Sequence, residues 1–131
     1  VKPYRAWQKV PEIFAIRSSN IGTVKIIDTV GPQTQQAYLH RLGLLTRPSL
    51  EISGISPPQV PAQWGRTAMA TISFGHGLNI NAIQLANAIA AVVNGGVLRQ
   101  ATLIKGGNAQ RPGVQVLSPQ TSHAMRQLMS L

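Results

Sequence analysis

The strongest helix signal lies at residues 81–96, which read NAIQLANAIAAVVNGG. Asn81 can accept a hydrogen bond as an N-cap, and Gln84, three residues later, can complete a capping box. The run Asn94-Gly-Gly then supplies the residues at which helices commonly end. The stretch therefore predicts a helix of about three turns with defined ends.

Apolar residues surround this predicted helix on nearly every side. We expect its buried face to consist of Ile83, Ala86, Ile89, Ala90 and Val93, although Leu85, Ala88, Ala91 and Val92 are apolar as well. A helix that is apolar all round normally lies inside a larger protein. The chain also begins at Val1 without Met and ends at Leu131 within an apolar helical pattern. We therefore expect residues 1–131 to be part of a larger domain.

Caps, prolines and apolar spacing predict the other elements, and the result is a mainly α chain. Helices are expected at residues 11–17, 21–30 and 33–42, and another begins at Ser118-Pro119. Residues 97–104 and 114–117 predict short strands, and the proline-rich stretch 44–71 predicts a long irregular connection. The sequence thus predicts four or five helices and one or two short strands.

The charge balance is strongly basic but has no pattern. Twelve Lys and Arg face three acidic residues among 131, for a formal charge of +9, and aromatic residues make up 5%. The basic residues form no run, and no aromatic platform accompanies them, so we expect no nucleic-acid partner. A basic module that binds anionic polymers remains an alternative.

Several kinds of chemistry are excluded by residue content and spacing. The chain has no cysteine, its three acidic residues lie far apart, and its three histidines lack the spacing of zinc ligands. No phosphate-binding loop with a Gly-Lys-Ser or Gly-Lys-Thr ending occurs. We therefore predict no metal and no cofactor. The longest apolar stretch, residues 82–93, is also shorter than the roughly 20 residues that span a bilayer.

A more specific motif is Ser18-Ser19-Asn20, which lies between two predicted helices. A short loop there can direct a hydroxyl and an amide into the same cleft. Ser-x-Asn serves in this way in serine acyltransferases of the penicillin-binding class, beside a Ser-x-x-Lys nucleophile and a Lys-Thr-Gly strand. Lys105-Gly106-Gly107 could be a degenerate Lys-Thr-Gly, but it falls where the predicted strand ends and a turn begins.

The residues around this motif resemble class B, cell-division penicillin-binding proteins. The resemblance covers nearly the whole chain in the family's order; its segments are residues 10–14 (VPEIF), 17–25 (RSSNIGTVK), 40–45 (HRLGLL), 73–78 (SFGHGL), 83–86 (IQLA), 93–96 (VNGG) and 116–129 (VLSP to MRQLM). Two departures concern loop details: Glu51-Ile-Ser-Gly replaces a Leu-Pro-Glu-like stretch, and Ala82 stands where the family often has proline.

This resemblance implies a fold, an activity and a place in the cell. The fold would be part of an α+β, β-lactamase-like transpeptidase domain. The parent enzyme would be a D,D-transpeptidase acting on peptidoglycan stem peptides, with β-lactams as substrate mimics and cell-division membrane proteins as partners. The Ser18 hydroxyl would belong to the proton relay, and the Asn20 amide would contact the substrate backbone. The enzyme would face the periplasm, anchored to the inner membrane by a helix outside these residues.

The nucleophile motif is absent from the chain. No Ser lies three residues before Lys2, Lys9, Lys25 or Lys105, and no Lys-Thr-Gly occurs. We therefore expect residues 1–131 to be inactive alone and the missing motifs to lie on either side. A noncatalytic relative that keeps the fold as a scaffold is the other alternative.

Overall fold

The computed structural model describes residues 18–106 and 112–130. The helix predicted at residues 11–17 lies outside these ranges. In chain order the elements are α1 (Asn20–Val30), α2 (Pro32–Arg41), α3 (Arg66–Ser73), α4 (Ala82–Val93), β1 (Val97–Leu98), β2 (Val114–Gln115) and α5 (Pro119–Met129). Five helices and one two-stranded sheet within the described ranges confirm the predicted mainly α fold.

The first two helices have nearly their predicted bounds. Gly31 separates them with φ at 85°, in the left-handed region that glycine adopts without strain. Its amide donates to the Ile27 carbonyl and closes α1, and Pro32 then occupies the first turn of α2, where no amide hydrogen is needed. The Gly-Pro pair therefore sets both the end of one helix and the start of the next.

The prediction of an irregular connection is right only up to Gly65. Residues 66–73 form α3, which the sequence analysis missed. This helix is short, and Gly65 provides no side-chain cap. It packs along α1 and contacts α2, with Met69 buried, so tertiary contacts stabilise a segment whose local signals are weak.

Helix α4 has the predicted cap but not the predicted buried face. The Asn81 side chain accepts from the Gln84 amide, and the Gln84 side chain accepts from the Asn81 amide, which is a complete capping box. The buried residues are Gln84, Ala88 and Ala91, whereas Ile89 is 45% exposed. The predicted face is wrong because apolar residues on all sides leave no periodic pattern to identify the covered side.

The sheet is shorter than predicted. β1 and β2 pair antiparallel, with Val97 opposite Gln115 and Leu98 opposite Val114, and neither strand exceeds two residues. The Asn94 side chain both donates to the Val97 carbonyl and accepts from the Val97 amide. Residues 99–104, predicted as strand, carry no strand hydrogen bonds of this sheet.

The last helix packs against α4 through a buried serine. Ser118 caps α5 by accepting from the Thr121 amide, and Pro119 follows in the first turn, as predicted. Ser122, fully buried, donates to the Val92 carbonyl and accepts from the Gly95 amide, and so joins α5 to the end of α4. Within residues 18–106 and 112–130 the buried apolar residues are Leu44, Met69, Ala88, Ala91 and Val116.

Candidate functional site

The predicted motif forms the entrance to α1. Ser19 is the N-cap, and its hydroxyl accepts a 3.1 Å hydrogen bond from the Gly22 amide. The Thr23 hydroxyl and amide both donate to the Ser19 carbonyl. Ser19, the middle residue of the motif, therefore serves as the N-cap of α1, a position that serine favours.

The two outer residues of the motif differ from the middle one. Ser18 and Asn20 are both exposed, and neither side chain is hydrogen bonded to another residue in the described ranges. Ser19 lies between them and turns its hydroxyl into the first turn of α1. The arrangement places one hydroxyl and one amide at the same helix end.

The backbone at Ser18 is strained. Its φ is 42°, and it is the one non-glycine residue with positive φ among the described residues. For an L-residue with a side chain, this left-handed conformation costs about 1–2 kcal/mol. Such strain persists only where the surroundings fix the backbone, and it is frequent at functional sites.

An ion pair lies near the other end of α1. Arg66, the first residue of α3, donates from Nε to Asp28 Oδ1 at 3.1 Å and from Nη2 to Oδ2 at 2.8 Å. The hydrogen bond from Arg66 lowers the pKa of Asp28, and Asp28 raises the pKa of Arg66. The pair joins residues 38 positions apart and links α1 to α3. Sequence reasoning missed it, because nothing local indicates which basic residue would meet Asp28.

A buried glutamine joins α2 to the same group of helices. Gln35 is 7% exposed; its Nε2 donates to the Met69 carbonyl of α3, and its Oε1 accepts from Trp64 Nε1, each at 3.0 Å. Because both polar ends are satisfied, this buried amide stabilises the packing rather than costing free energy. Helices α1, α2 and α3 therefore pack against one another next to the motif, which lies at the start of α1.

The possible Lys-Thr-Gly variant, Lys105-Gly106-Gly107, does not begin on a strand. Lys105 and Gly106 are exposed and lie in a turn, as the sequence analysis expected. No hydrogen bond in the described ranges connects Lys105 with Ser18 or Asn20. Lys105 therefore adds nothing to the site within the described residues.

Three surface cavities of the described part of the chain lie apart from the motif. In the described ranges no group of three or more His, Asp or Glu side chains could hold a metal ion. Three surface cavities, of about 520, 440 and 530 Å³, lie beside the proline-rich connection, and none is lined by Ser18 or Asn20. The candidate site is thus the short segment Ser18-Ser19-Asn20 at the start of α1, in which Ser18 is strained and Ser19 caps the helix.

Comparison with known proteins identifies the family. Residues 2–131 match the penicillin binding protein transpeptidase domain. The chain is 40% identical over 119 residues to the probable peptidoglycan D,D-transpeptidase FtsI of Caulobacter vibrioides, covering 90% of this chain and 20% of that protein. The chain thus spans about a fifth of the length of the curated relatives that it matches.

Solved structures agree with this assignment. The transpeptidase domain of Burkholderia pseudomallei penicillin-binding protein 3 superposes with a TM-score of 0.78 at 34% identity, over 86% of this chain and 35% of that one. Penicillin-binding protein 3 of Mycobacterium tuberculosis, complexed with aztreonam, gives a TM-score of 0.81 at 28% identity, over 94% and 31%. The chain covers part of such a domain, and it belongs to the penicillin-binding protein transpeptidase family.

Proposed function

We propose that this chain is part of a serine D,D-transpeptidase that cross-links peptidoglycan stem peptides during cell division. The observation that carries the proposal is that Ser18 and Asn20 are exposed on either side of Ser19, which caps α1, in a chain that belongs to the transpeptidase family. The name of the Caulobacter vibrioides relative supports the reaction class.

The proposed chemistry is two-step acyl transfer. An enzyme serine attacks the carbonyl of the stem peptide's D-Ala-D-Ala bond, the C–N bond breaks, and D-alanine leaves with the proton that its nitrogen requires. An amine on a neighbouring stem peptide then attacks the acyl-enzyme, forming the cross-link and releasing the serine. We assign the Ser18 hydroxyl to the proton path towards the leaving nitrogen. The Asn20 amide would hydrogen bond to the stem-peptide backbone and align it.

The strain at Ser18 supports this assignment. A left-handed serine is less stable there than glycine would be, so a structural role alone does not account for the residue. A hydroxyl that takes part in proton transfer does account for it, because glycine could not supply one. Energy spent on holding a functional group in a rare conformation is a recognised property of active sites.

The nucleophile would come from outside residues 1–131. No Ser-x-x-Lys occurs in the chain, and the chain accounts for 35% of the Burkholderia pseudomallei transpeptidase-domain structure. We therefore propose that residues 1–131 form a partial transpeptidase domain, inactive alone, and that the remaining motifs belong to other segments of the whole protein.

Inhibitors, location and partners follow from the same proposal. The aztreonam complex of the Mycobacterium tuberculosis protein supports β-lactams as ligands of the whole enzyme here. The helices of the described residues lack the length and hydrophobicity of a membrane span. We place the whole enzyme at the periplasmic face of the inner membrane, held by an anchor helix outside this chain, beside membrane proteins of cell division.

The test is intact-mass spectrometry of the full-length gene product after incubation with a penicillin. We expect a single covalent adduct with the mass of the penicillin, since the acyl-enzyme forms without loss of atoms. A sample unfolded in denaturant before the penicillin is added serves as the control for nonspecific acylation.

The alternative readings give different results. A folded full-length protein that forms no adduct would identify a noncatalytic relative that keeps the fold as a scaffold. Binding to anionic vesicles or DNA that survives physiological salt would instead favour the basic polymer-binding module.

A further inference from the structure

The ion pair between Asp28 and Arg66 has a geometry that fixes an angle as well as a distance. Two parallel hydrogen bonds, from Nε and from Nη2, join the planar guanidinium to the planar carboxylate. A two-point contact of this kind resists rotation, which a single contact does not. The pair is nevertheless open to solvent, since the Arg66 side chain is 79% exposed.

The pair and the motif lie towards opposite ends of one rigid element. Asp28 comes eight residues after Asn20 in α1, a separation of about 12 Å along a helix with a rise of 1.5 Å per residue. A tilt of α1 by about 5° at the ion pair would therefore move Asn20 sideways by about 1 Å, given that length. A displacement of that size in a reacting group can slow catalysis considerably.

Helix α1 also packs along α3 and contacts α2, and the ion pair adds a directional contact to this packing. At the end of the helix, the chain turns at Gly31, which has a φ of 85°. At the start of the helix, the hydrogen bonds of Ser19 are made to α1 itself and not to a neighbouring element. Arg66 therefore supplies a directed polar contact between α1 and α3 that acts on helix orientation.

We propose that Arg66 is a positioning residue for the Ser18 and Asn20 side chains, an inference that rests on the proposed transpeptidase function. It touches neither side chain, and it acts by holding the angle of α1 against α3. Because exposed ion pairs contribute little to folding, loss of the pair should affect acylation more than global stability. The two parallel hydrogen bonds require the planar guanidinium of arginine, so we expect that lysine cannot take over this role.

The experiment measures acylation of the full-length protein by a fluorescent penicillin, separated into a binding constant and an acylation rate constant. The variants are Arg66→Gln, Arg66→Lys, Asp28→Asn and the exchanged pair Asp28→Arg with Arg66→Asp. Arg126→Gln, which removes an exposed charge from α5, is the matched control. Tm is measured for each variant.

We expect the three single variants to lower the acylation rate constant about two- to fivefold, the range that loss of one exposed pair permits. Penicillin binding and Tm should stay close to those of Arg126→Gln, and the exchanged pair should recover part of the lost rate. Rates equal to that of Arg126→Gln would overturn the inference. So would a wild-type rate in Arg66→Lys, or a fall in Tm that accounts for the lost acylation.

The wild-type protein separates this inference from the proposed function. If it is acylated and the variants behave as the control does, only the positioning role is wrong. If the wild-type protein is not acylated, the proposed function is wrong, and the positioning inference is overturned with it.

Discussion

At the start of α1 the polar side chains of Ser18 and Asn20 face solvent, whereas at the end of α4 the polar groups are hydrogen bonded around the buried Ser122. There Ser122 satisfies the Val92 carbonyl and the Gly95 amide, and Gln115 donates to the Gly95 carbonyl. In the described ranges no buried side-chain nitrogen or oxygen lacks a hydrogen-bond partner. Residues of similar type thus stabilise the fold in one region and are exposed in the other.

The glycines and the strained serine show the same difference. Gly95 and Gly96 have φ values of 95° and 90°, which glycine adopts at little cost, and they let the chain turn closely at the end of α4. Ser18 adopts a positive φ without that freedom. The end of α4 thus has glycine where φ is positive, whereas the start of α1 has a serine there.

The largest expected effect is at Ser18. Replacing Ser18 by Ala or by Gly removes the hydroxyl, and we expect acylation of the full-length protein by penicillin to fall about 100-fold or more, as for loss of a proton-transfer group. Ser18→Gly should be more stable than Ser18→Ala by about 1 kcal/mol, because it relieves the left-handed strain. Acylation kinetics and denaturant unfolding measure the two effects.

Ser19→Ala is the control for that prediction. It removes the neighbouring hydroxyl, which caps α1, so it should lower stability by about 1 kcal/mol and slow acylation far less than Ser18→Ala does. Equal losses of acylation in Ser18→Ala and Ser19→Ala would remove the distinction between the outer and middle residues of the motif.

The next effect is at Gly96. An added Cβ there would lie 2.1 Å from the Leu117 carbonyl oxygen, which belongs to the backbone and cannot rotate away. We expect Gly96→Ala to destabilise the full-length protein by about 2–4 kcal/mol, the cost of overlap plus positive φ. The change in thermal unfolding measures this loss.

Gly95→Ala is the matched control, since Gly95 has nearly the same φ but no atom within 4 Å of its added Cβ. It should lose only about 1–2 kcal/mol. Similar losses in the two variants would mean that the close approach to Leu117 does not constrain the fold.

The smallest of the three effects is at Ser122. Ser122→Ala leaves the Gly95 amide and the Val92 carbonyl without their partner in a buried position, and we expect a loss of about 1–3 kcal/mol. Ser130→Ala, which removes an exposed hydroxyl just beyond the other end of α5, should change stability by less than about 0.5 kcal/mol. A comparable stability for both variants would contradict the structural role of Ser122. Neither should alter acylation of the folded protein.

The sequence predicted the elements whose ends carry their own signals. The capping box of Asn81 and Gln84, the Gly31-Pro32 junction and the Ser118-Pro119 start are each determined by residues within one helical turn, and all three are confirmed. The family resemblance and the mainly α fold are confirmed as well. Local chemistry was sufficient there because the stabilising partner is close in sequence.

What the sequence could not predict depends on partners far along the chain. Helix α3 lacks a side-chain cap and is stabilised by packing on α1, and the buried side of α4 is selected by neighbouring elements. The contact of Arg66 with Asp28 and that of Gln35 with Trp64 join residues 38 and 29 positions apart. The roles of Ser18 and Asn20 in catalysis stay predictions.

The most direct test is to locate the penicillin adduct by peptide mapping of the full-length protein. Our account predicts that the acylated serine lies outside residues 1–131, in a Ser-x-x-Lys motif, and that Ser18 and Ser19 are recovered unmodified. An adduct on Ser18, Ser19 or any other serine of residues 1–131 would contradict it, because the nucleophile would then lie within this chain.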